Sequence, residues 1–100
     1  MDGLHIYPQC HEHDQAYICG THAALKELRD ALSRALEKNS VAKATCIGND
    51  GEGYFVLIAP VDPETFARMT EPYSDPRHDL LSDEQPRFGP WNLAFDWRAA

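Results

Sequence analysis

The segment 21–38 restricts the fold more than any other part of this 100-residue chain. Thr21 is a favourable N-cap residue, and Asn39 is a residue type that often follows the last turn of a helix. Apolar residues between them recur at helical spacing: Leu25, Leu28, Leu32 and Leu36, with Ala24, Ala31 and Ala35 beside them. The pattern predicts one amphipathic helix over 21–38 whose leucine stripe is buried.

Short β-prone segments lie on both sides of this helix. Apolar alternation and turn residues place strands at 3–7, 15–19, 41–47, 54–59 and 91–98. Asp62 and the proline after it have the order of a helix start, which predicts a short helix that buries Phe66 and Met69. The segment 54–59 is almost continuously apolar, so we expect it to be covered on both faces. The predicted class is α+β, a small mainly antiparallel sheet packed on one main helix, in the order ββαββα-loop-β.

The length predicts a single domain spanning 1–100, because two independent cores would each be too small. Residues 1–69 contain most of the periodic segments and are expected to form a compact body. Residues 70–100 contain four prolines and begin with a long irregular stretch. We expect them to form an arm that ends in a C-terminal strand with a heavily aromatic face.

Charge is distributed unevenly along the chain. Its 16 acidic and 9 basic residues give a net charge of −7 at pH 7. The part from residue 44 onward has ten acids and four bases, whereas 25–43 has five bases and three acids. An overall negative charge gives no electrostatic drive toward nucleic acid or an anionic membrane, so direct binding to either is not expected.

The three cysteines are an odd number without CxxC spacing, which is typical of reduced thiols in a cytoplasm. The first residues have neither the basic region nor the apolar region of a signal peptide. We therefore expect the protein to act in the cytoplasm.

One polar string has the composition of a metal site. Cys10, His11 and His13 are residue types that bind zinc, and His5 on the preceding strand is a candidate fourth ligand. Their spacing matches neither HExxH nor paired CxxC. The alternative interpretation is a solvated hairpin loop that binds no cofactor.

The start of the main helix is a second candidate site, because free N–H groups at a helix N-terminus bind anions. Thr21 lies there, but the segment lacks the further glycines and the lysine of a phosphate-binding loop. The sequence contains no GxSxG motif and no Cys-His signature, so a non-enzymatic function is expected.

A protein-binding surface is predicted mainly on the arm. Aromatic and arginine side chains are enriched at interfaces. The candidates are Tyr73, Arg77, Leu80, Leu81, Phe88 and Trp91, together with the acidic residues Asp50 and Glu52. The alternative is that the arm packs its apolar residues on its own core.

Three strings in the range 5–60 carry a resemblance: Tyr17-Ile18-Cys19-Gly20, the run from Leu25 to Leu36 that contains Leu28-Arg29-Asp30-Ala31-Leu32, and Asp50-Gly51-Glu52-Gly53-Tyr54. On these strings the chain resembles short proteins of phages and bacterial accessory genomes. The resemblance implies a small accessory protein that acts on a partner, and it assigns no role to any residue.

These features predict a non-enzymatic inhibitor or immunity-type protein that occupies a toxin, nuclease or defence component through an acidic, aromatic-containing surface. A small metal- or anion-binding domain that uses the loop Cys10–Asp14 and the helix start at Thr21 is the alternative. A homodimer that pairs an exposed strand is a third hypothesis.

Overall fold

The computed structural model describes residues 2–73 and Gly89. The described elements are β1 (Leu4–Tyr7), β2 (Tyr17–Gly20), α1 (His22–Lys38), β3 (Ala42–Ile47), β4 (Gly53–Ile58) and α2 (Pro63–Ala67). This order confirms the predicted α+β class. The predicted strand 91–98 lies outside the described residues.

Two compact units divide the described chain. Residues 2–7 and 16–60 belong to the first unit, which contains all four strands and α1. Residues 8–15 and 61–73 belong to the second unit, which contains the polar loop and α2. Among the described residues, no helix has the length and apolar character needed to cross a membrane.

The strands of the first unit form two antiparallel pairs. β1 pairs with β2, with Ile6 opposite Ile18, and β3 pairs with β4, with Thr45 opposite Phe55. Within residues 2–73 these are two separate two-stranded sheets, where the sequence predicted one sheet. Hydrophobic periodicity reports which face of a strand is buried, but it does not report which strands are hydrogen-bonded neighbours.

Local chemistry sets both ends of α1. The Thr21 hydroxyl accepts a hydrogen bond from the backbone N–H of Ala24 at 3.4 Å, which satisfies one free donor of the first turn. At the other end Asn39 has a φ of 47° and its N–H bonds the carbonyl of Ala35. Asparagine tolerates this left-handed conformation better than most residues do, so the helix ends where the sequence predicted.

Among the described residues, the core of the first unit consists largely of small side chains. Its buried residues are Leu4, Leu28, Ala31, Ala35, Ala42, Ala44 and Cys46, with Ala24, Tyr54, Val56 and Ile58 packed against them. Alanines on α1 face alanines on β3. Small residues on both surfaces let the helix and the strand approach closely, and the Arg34 guanidinium also donates to the Lys43 carbonyl at 3.2 Å.

The predicted burial of the whole leucine stripe is wrong. Only Leu28 is buried, while Leu25, Leu32 and Leu36 are exposed. Ala24, Leu28, Ala31 and Ala35 repeat at helical spacing as well as the leucines do, and this second stripe faces the sheet. Periodicity does not distinguish two stripes that lie next to each other on one helix.

β1 is attached to the end of β3 by a close backbone approach. A Cβ atom on Gly3 would lie 2.7 Å from the carbonyl oxygen of Ile47, so only glycine fits there without a shift. The Tyr54 hydroxyl donates a hydrogen bond to the carbonyl of Leu4. Together these contacts tie the first strand pair to the second.

Two further burial predictions are wrong. β4 is covered on one face only, because Phe55 and Leu57 on its other face are exposed. In the second unit, α2 has the predicted Asp62 cap, yet Phe66 is exposed and Met69 is half-buried. With five residues, α2 offers too short a face to bury a large aromatic side chain.

Candidate functional site

The predicted metal string forms a local turn in the second unit. The backbone N–H of Asp14 donates to the carbonyl of His11 at 3.1 Å, and His13 has a φ of 67°. The Cys10 thiol donates to the carbonyl of Pro8 at 3.6 Å, and His13 lies 3.0 Å from the Glu12 carboxylate. Within residues 2–73 no group of three or more His, Cys, Asp or Glu side chains is arranged to hold a metal ion.

His5, the remaining predicted ligand, has partners at both ring nitrogens. Its Nε2 accepts a hydrogen bond from the backbone N–H of Asn49 at 3.1 Å, and its Nδ1 lies 3.0 Å from the Tyr7 hydroxyl. Because Nε2 accepts, the neutral ring carries its hydrogen on Nδ1, and Nδ1 donates a hydrogen bond to the Tyr7 hydroxyl. The imidazole is therefore held edge-on to the Tyr7 ring and serves as a bridge between β1 and the β3–β4 turn.

A cleft of about 570 Å³ lies beside His5 in the first unit. Its lining residues are Gly3, Leu4, His5, Cys19, Gly20, Thr21 and Asn49. The volume is that of a small-molecule site. The cleft brings together the helix start predicted to bind an anion and an exposed cysteine.

Cys19 lies directly opposite His5 in the β1–β2 pair. In antiparallel pairs the Cβ atoms of opposed residues are about 4.5–5.5 Å apart, so the two side chains are neighbours. A Cys-His dyad needs a ring nitrogen that can take the thiol proton. Asn49 and Tyr7 contact both nitrogens of His5, so in this arrangement neither nitrogen is placed to take the Cys19 proton.

The described residues that were predicted to bind a partner belong to two different units. Tyr73 is exposed in the second unit, and Asp50 and Glu52 lie in the turn between β3 and β4 in the first unit. The remaining candidates lie outside the described residues: Arg77, Leu80, Leu81, Phe88 and Trp91.

Backbone hydrogen bonds close the β3–β4 turn. The N–H of Gly48 donates to the carbonyl of Glu52 at 2.9 Å, and Gly51 closes the turn with a φ of 85°. The Asp50 carboxylate accepts from the backbone N–H of Glu52 at 3.0 Å, which orients the Asp50 side chain. The turn therefore places two acidic residues next to each other, with the Asp50 carboxylate held against the backbone.

An exposed apolar surface adjoins this acidic turn. Ile47, Phe55 and Leu57 share the outer face of β3–β4, and Phe55 is 50% exposed. Lys43 lies on the same face with its Nζ atom 5.0 Å from the centre of the Phe55 ring. We call Ile47, Phe55 and Leu57, with Asp50 and Glu52, the hairpin surface.

Sequence reasoning missed the apolar part of the hairpin surface. The apolar run 54–59 resembles a strand that is buried on both faces. The available signal was on the partner strand, where Lys43 and Thr45 occupy the face that Phe55 and Leu57 share. A polar residue opposite an apolar one indicates a face that is not fully buried.

Comparison with models of protein families, with curated proteins and with solved structures found no match to this chain. The resemblance to phage and accessory-genome proteins stays a prediction.

Proposed function

We propose that this chain is a non-enzymatic protein-binding domain of the inhibitor or immunity type, and that it binds through the hairpin surface. The observation that supports this most is the exposure of Ile47, Phe55 and Leu57 on one face of the hairpin, beside the acidic residues of its turn. The partner is a bacterial toxin, nuclease or defence component, and the site of action is the cytoplasm of the host cell. A phage or accessory-genome protein of this kind fits the resemblance described above.

The composition of the hairpin surface supports an interface. Binding surfaces typically have an apolar centre with an aromatic anchor and a polar rim. Phe55 lies between Ile47 and Leu57 on this face, and the acidic turn forms one border. A two-stranded sheet that is packed on α1 by its other face presents these side chains with little conformational cost.

The charge of the hairpin surface favours a basic target. Asp50 and Glu52 carry two negative charges against the single Lys43. Acidic groups near an apolar patch steer association with a positively charged groove and raise the association rate at low salt. Nucleic-acid-binding grooves of nucleases have that charge, which makes them a fitting partner class.

The test is affinity capture from the native host with three immobilised proteins: the natural chain, Phe55→Ala and Phe66→Ala. Phe66 is the matched control because it is an exposed phenylalanine in the other unit. We expect Phe55→Ala to lose a specific partner that Phe66→Ala retains, and Glu52→Gln to weaken capture more at low salt than at high salt. Equal capture by the Phe55 and Phe66 variants would contradict the proposed surface.

A small-ligand function is the second candidate, and the cleft beside His5 favours it. Elemental analysis of untagged protein, with His11→Ala and His13→Ala as comparison, tests the zinc hypothesis for the loop. Phosphate titration followed by NMR at the Thr21 and His22 amides tests the anion hypothesis. Stoichiometric zinc that these substitutions abolish, or saturable shifts at those amides, would favour this function over protein binding.

A further inference from the structure

A second apolar surface lies on α1 in the same unit. Leu25, Leu32 and Leu36 follow one another at spacings of seven and four residues and form one exposed stripe along the helix. Lys26 and Arg29 border this stripe on its solvent side. We call these five residues the helix surface.

The helix surface has a basic border, whereas the hairpin surface has an acidic one. Arg29 donates to the Asp30 carboxylate at 3.2 Å, while no ion pair involves Lys26 within residues 2–73. A groove of about 190 Å³ lies at the N-terminal end of the stripe, lined by His22, Leu25, Lys26 and Arg29. The two surfaces are thus complementary in charge and alike in apolar character.

From this complementarity we propose that the helix surface binds the hairpin surface of a second copy of this chain. The two surfaces match in length. Leu25 and Leu36 are eleven positions apart on a helix, which corresponds to about 16 Å. Ile47, paired with Gly53, and Leu57 span four residues of β4, or about 14 Å.

Charge also sets the orientation of the contact. The acidic turn of one copy lies over Lys26 and Arg29, and Leu57 lies toward the Leu36 end of the helix. Phe55, the largest apolar side chain of the hairpin surface, packs between the leucines. This contact covers two surfaces that water otherwise contacts.

The contact forms between copies and not within one chain. α1 packs on the inner face of β3–β4, so the outer face of that sheet points away from its own helix. Two helix surfaces facing each other would bring Lys26 and Arg29 of both copies together, with Asp30 as a partial counter-charge. Two hairpin surfaces would bring Asp50 and Glu52 of both copies together, with Lys43 as a partial counter-charge. A head-to-tail contact is the arrangement that pairs opposite charges, and it leaves one surface of each kind free at the ends.

This inference rests on the proposed function, because both use the hairpin surface. Self-association then competes with binding of the basic partner. Substitutions on α1 separate the two, since they leave the hairpin surface intact.

The experiment is sedimentation velocity of the full chain over a range of protein concentrations, at about 0.05 M and about 0.5 M ionic strength, between which the Debye length shortens several-fold. The natural chain should self-associate with concentration, and less at high salt. Leu36→Glu and, separately, Phe55→Ala should each weaken association at least about tenfold. Ala23→Glu is the matched control, because it places the same acid at an exposed position on another face of α1.

The decisive measurement is the equimolar mixture of Leu36→Glu with Phe55→Ala. Each variant retains the surface that the other lacks, so the mixture should form 1:1 dimers that neither variant forms alone. A mixture that stays monomeric, or a natural chain that is monomeric at every concentration, overturns the inference. Capture of a host partner by Leu36→Glu tests the proposed function separately, because that variant keeps the hairpin surface.

Discussion

Truncating the leucines of α1 one at a time should separate buried from exposed positions on a single helix. Leu28 is 8% exposed, Leu32 is 45% exposed and Leu36 is 76% exposed. All three occupy the leucine stripe that the sequence pattern predicts to be buried. The free energies of unfolding of Leu28→Ala, Leu32→Ala and Leu36→Ala therefore test which stripe of the helix forms the core.

The expected magnitudes follow from the buried fractions. Replacing leucine by alanine removes three carbon atoms, each contributing about 0.8 kcal/mol when fully buried. Leu28→Ala should lose about 2–5 kcal/mol once the cavity is included. Scaling the about 0.8 kcal/mol per carbon by the buried fraction gives about 1.3 kcal/mol for Leu32→Ala and about 0.6 kcal/mol for Leu36→Ala. The higher helix propensity of alanine reduces both values further.

Urea unfolding followed by circular dichroism measures these differences, at a protein concentration low enough to keep the chain monomeric. For a chain of this length, 1 kcal/mol corresponds to about 4–8 °C in Tm, so Leu28→Ala should lower Tm by about 8 °C or more. Leu36→Ala should stay within a few degrees of the natural chain. Equal losses at Leu28 and Leu36 would refute the assignment of the alanine stripe as the core face.

Three other measurements test local features. Gly3→Ala should destabilise the fold by about 1–3 kcal/mol, because the new methyl group meets a backbone carbonyl. Gly53→Ala is the control, because a Cβ atom there has ordinary contacts and should cost little. Equal unfolding midpoints for the two variants would refute this. Burial, and then the negative charge of a nearby glutamate, raise the pKa of the Cys46 thiol. This buried thiol should therefore react with a disulfide reagent only after the protein unfolds. Fast labelling of all three thiols in the native state would contradict its placement. Hydrogen bonds from the backbone N–H and the side chain of Thr65 lower the pKa of Asp62. Its stabilising effect is therefore present above the carboxyl's ordinary pKa and is lost as the pH falls through the lowered value. Asp62→Asn should flatten that acid dependence in a pH series of thermal unfolding curves, and an unchanged dependence would count against the cap.

The sequence predicted those features that depend on neighbouring residues. Thr21 and Asn39 bound α1 because capping needs only a side chain near its own helix end. Asp62 starts α2 for the same reason. The acidic turn followed from glycines and acids at adjacent positions, so Asp50 and Glu52 were already candidates.

The helix surface and the apolar part of the hairpin surface could be identified only from the three-dimensional structure. Leu36 is exposed because α1 turns its alanines toward β3, and this choice depends on how closely two distant segments approach. His5 is a structural bridge because Asn49, 44 residues away, occupies its Nε2.

The sequence by itself determined the α+β class, the helix limits and the acidic turn, since each depends on residues within about one turn or one strand of each other. The tertiary structure decided which of two equally periodic stripes of α1 is buried and which face of β3–β4 contacts water. Burial is a property of the whole packed unit: the alanines of α1 lie against the alanines of β3, and the close approach of these two distant segments leaves the neighbouring leucines in water.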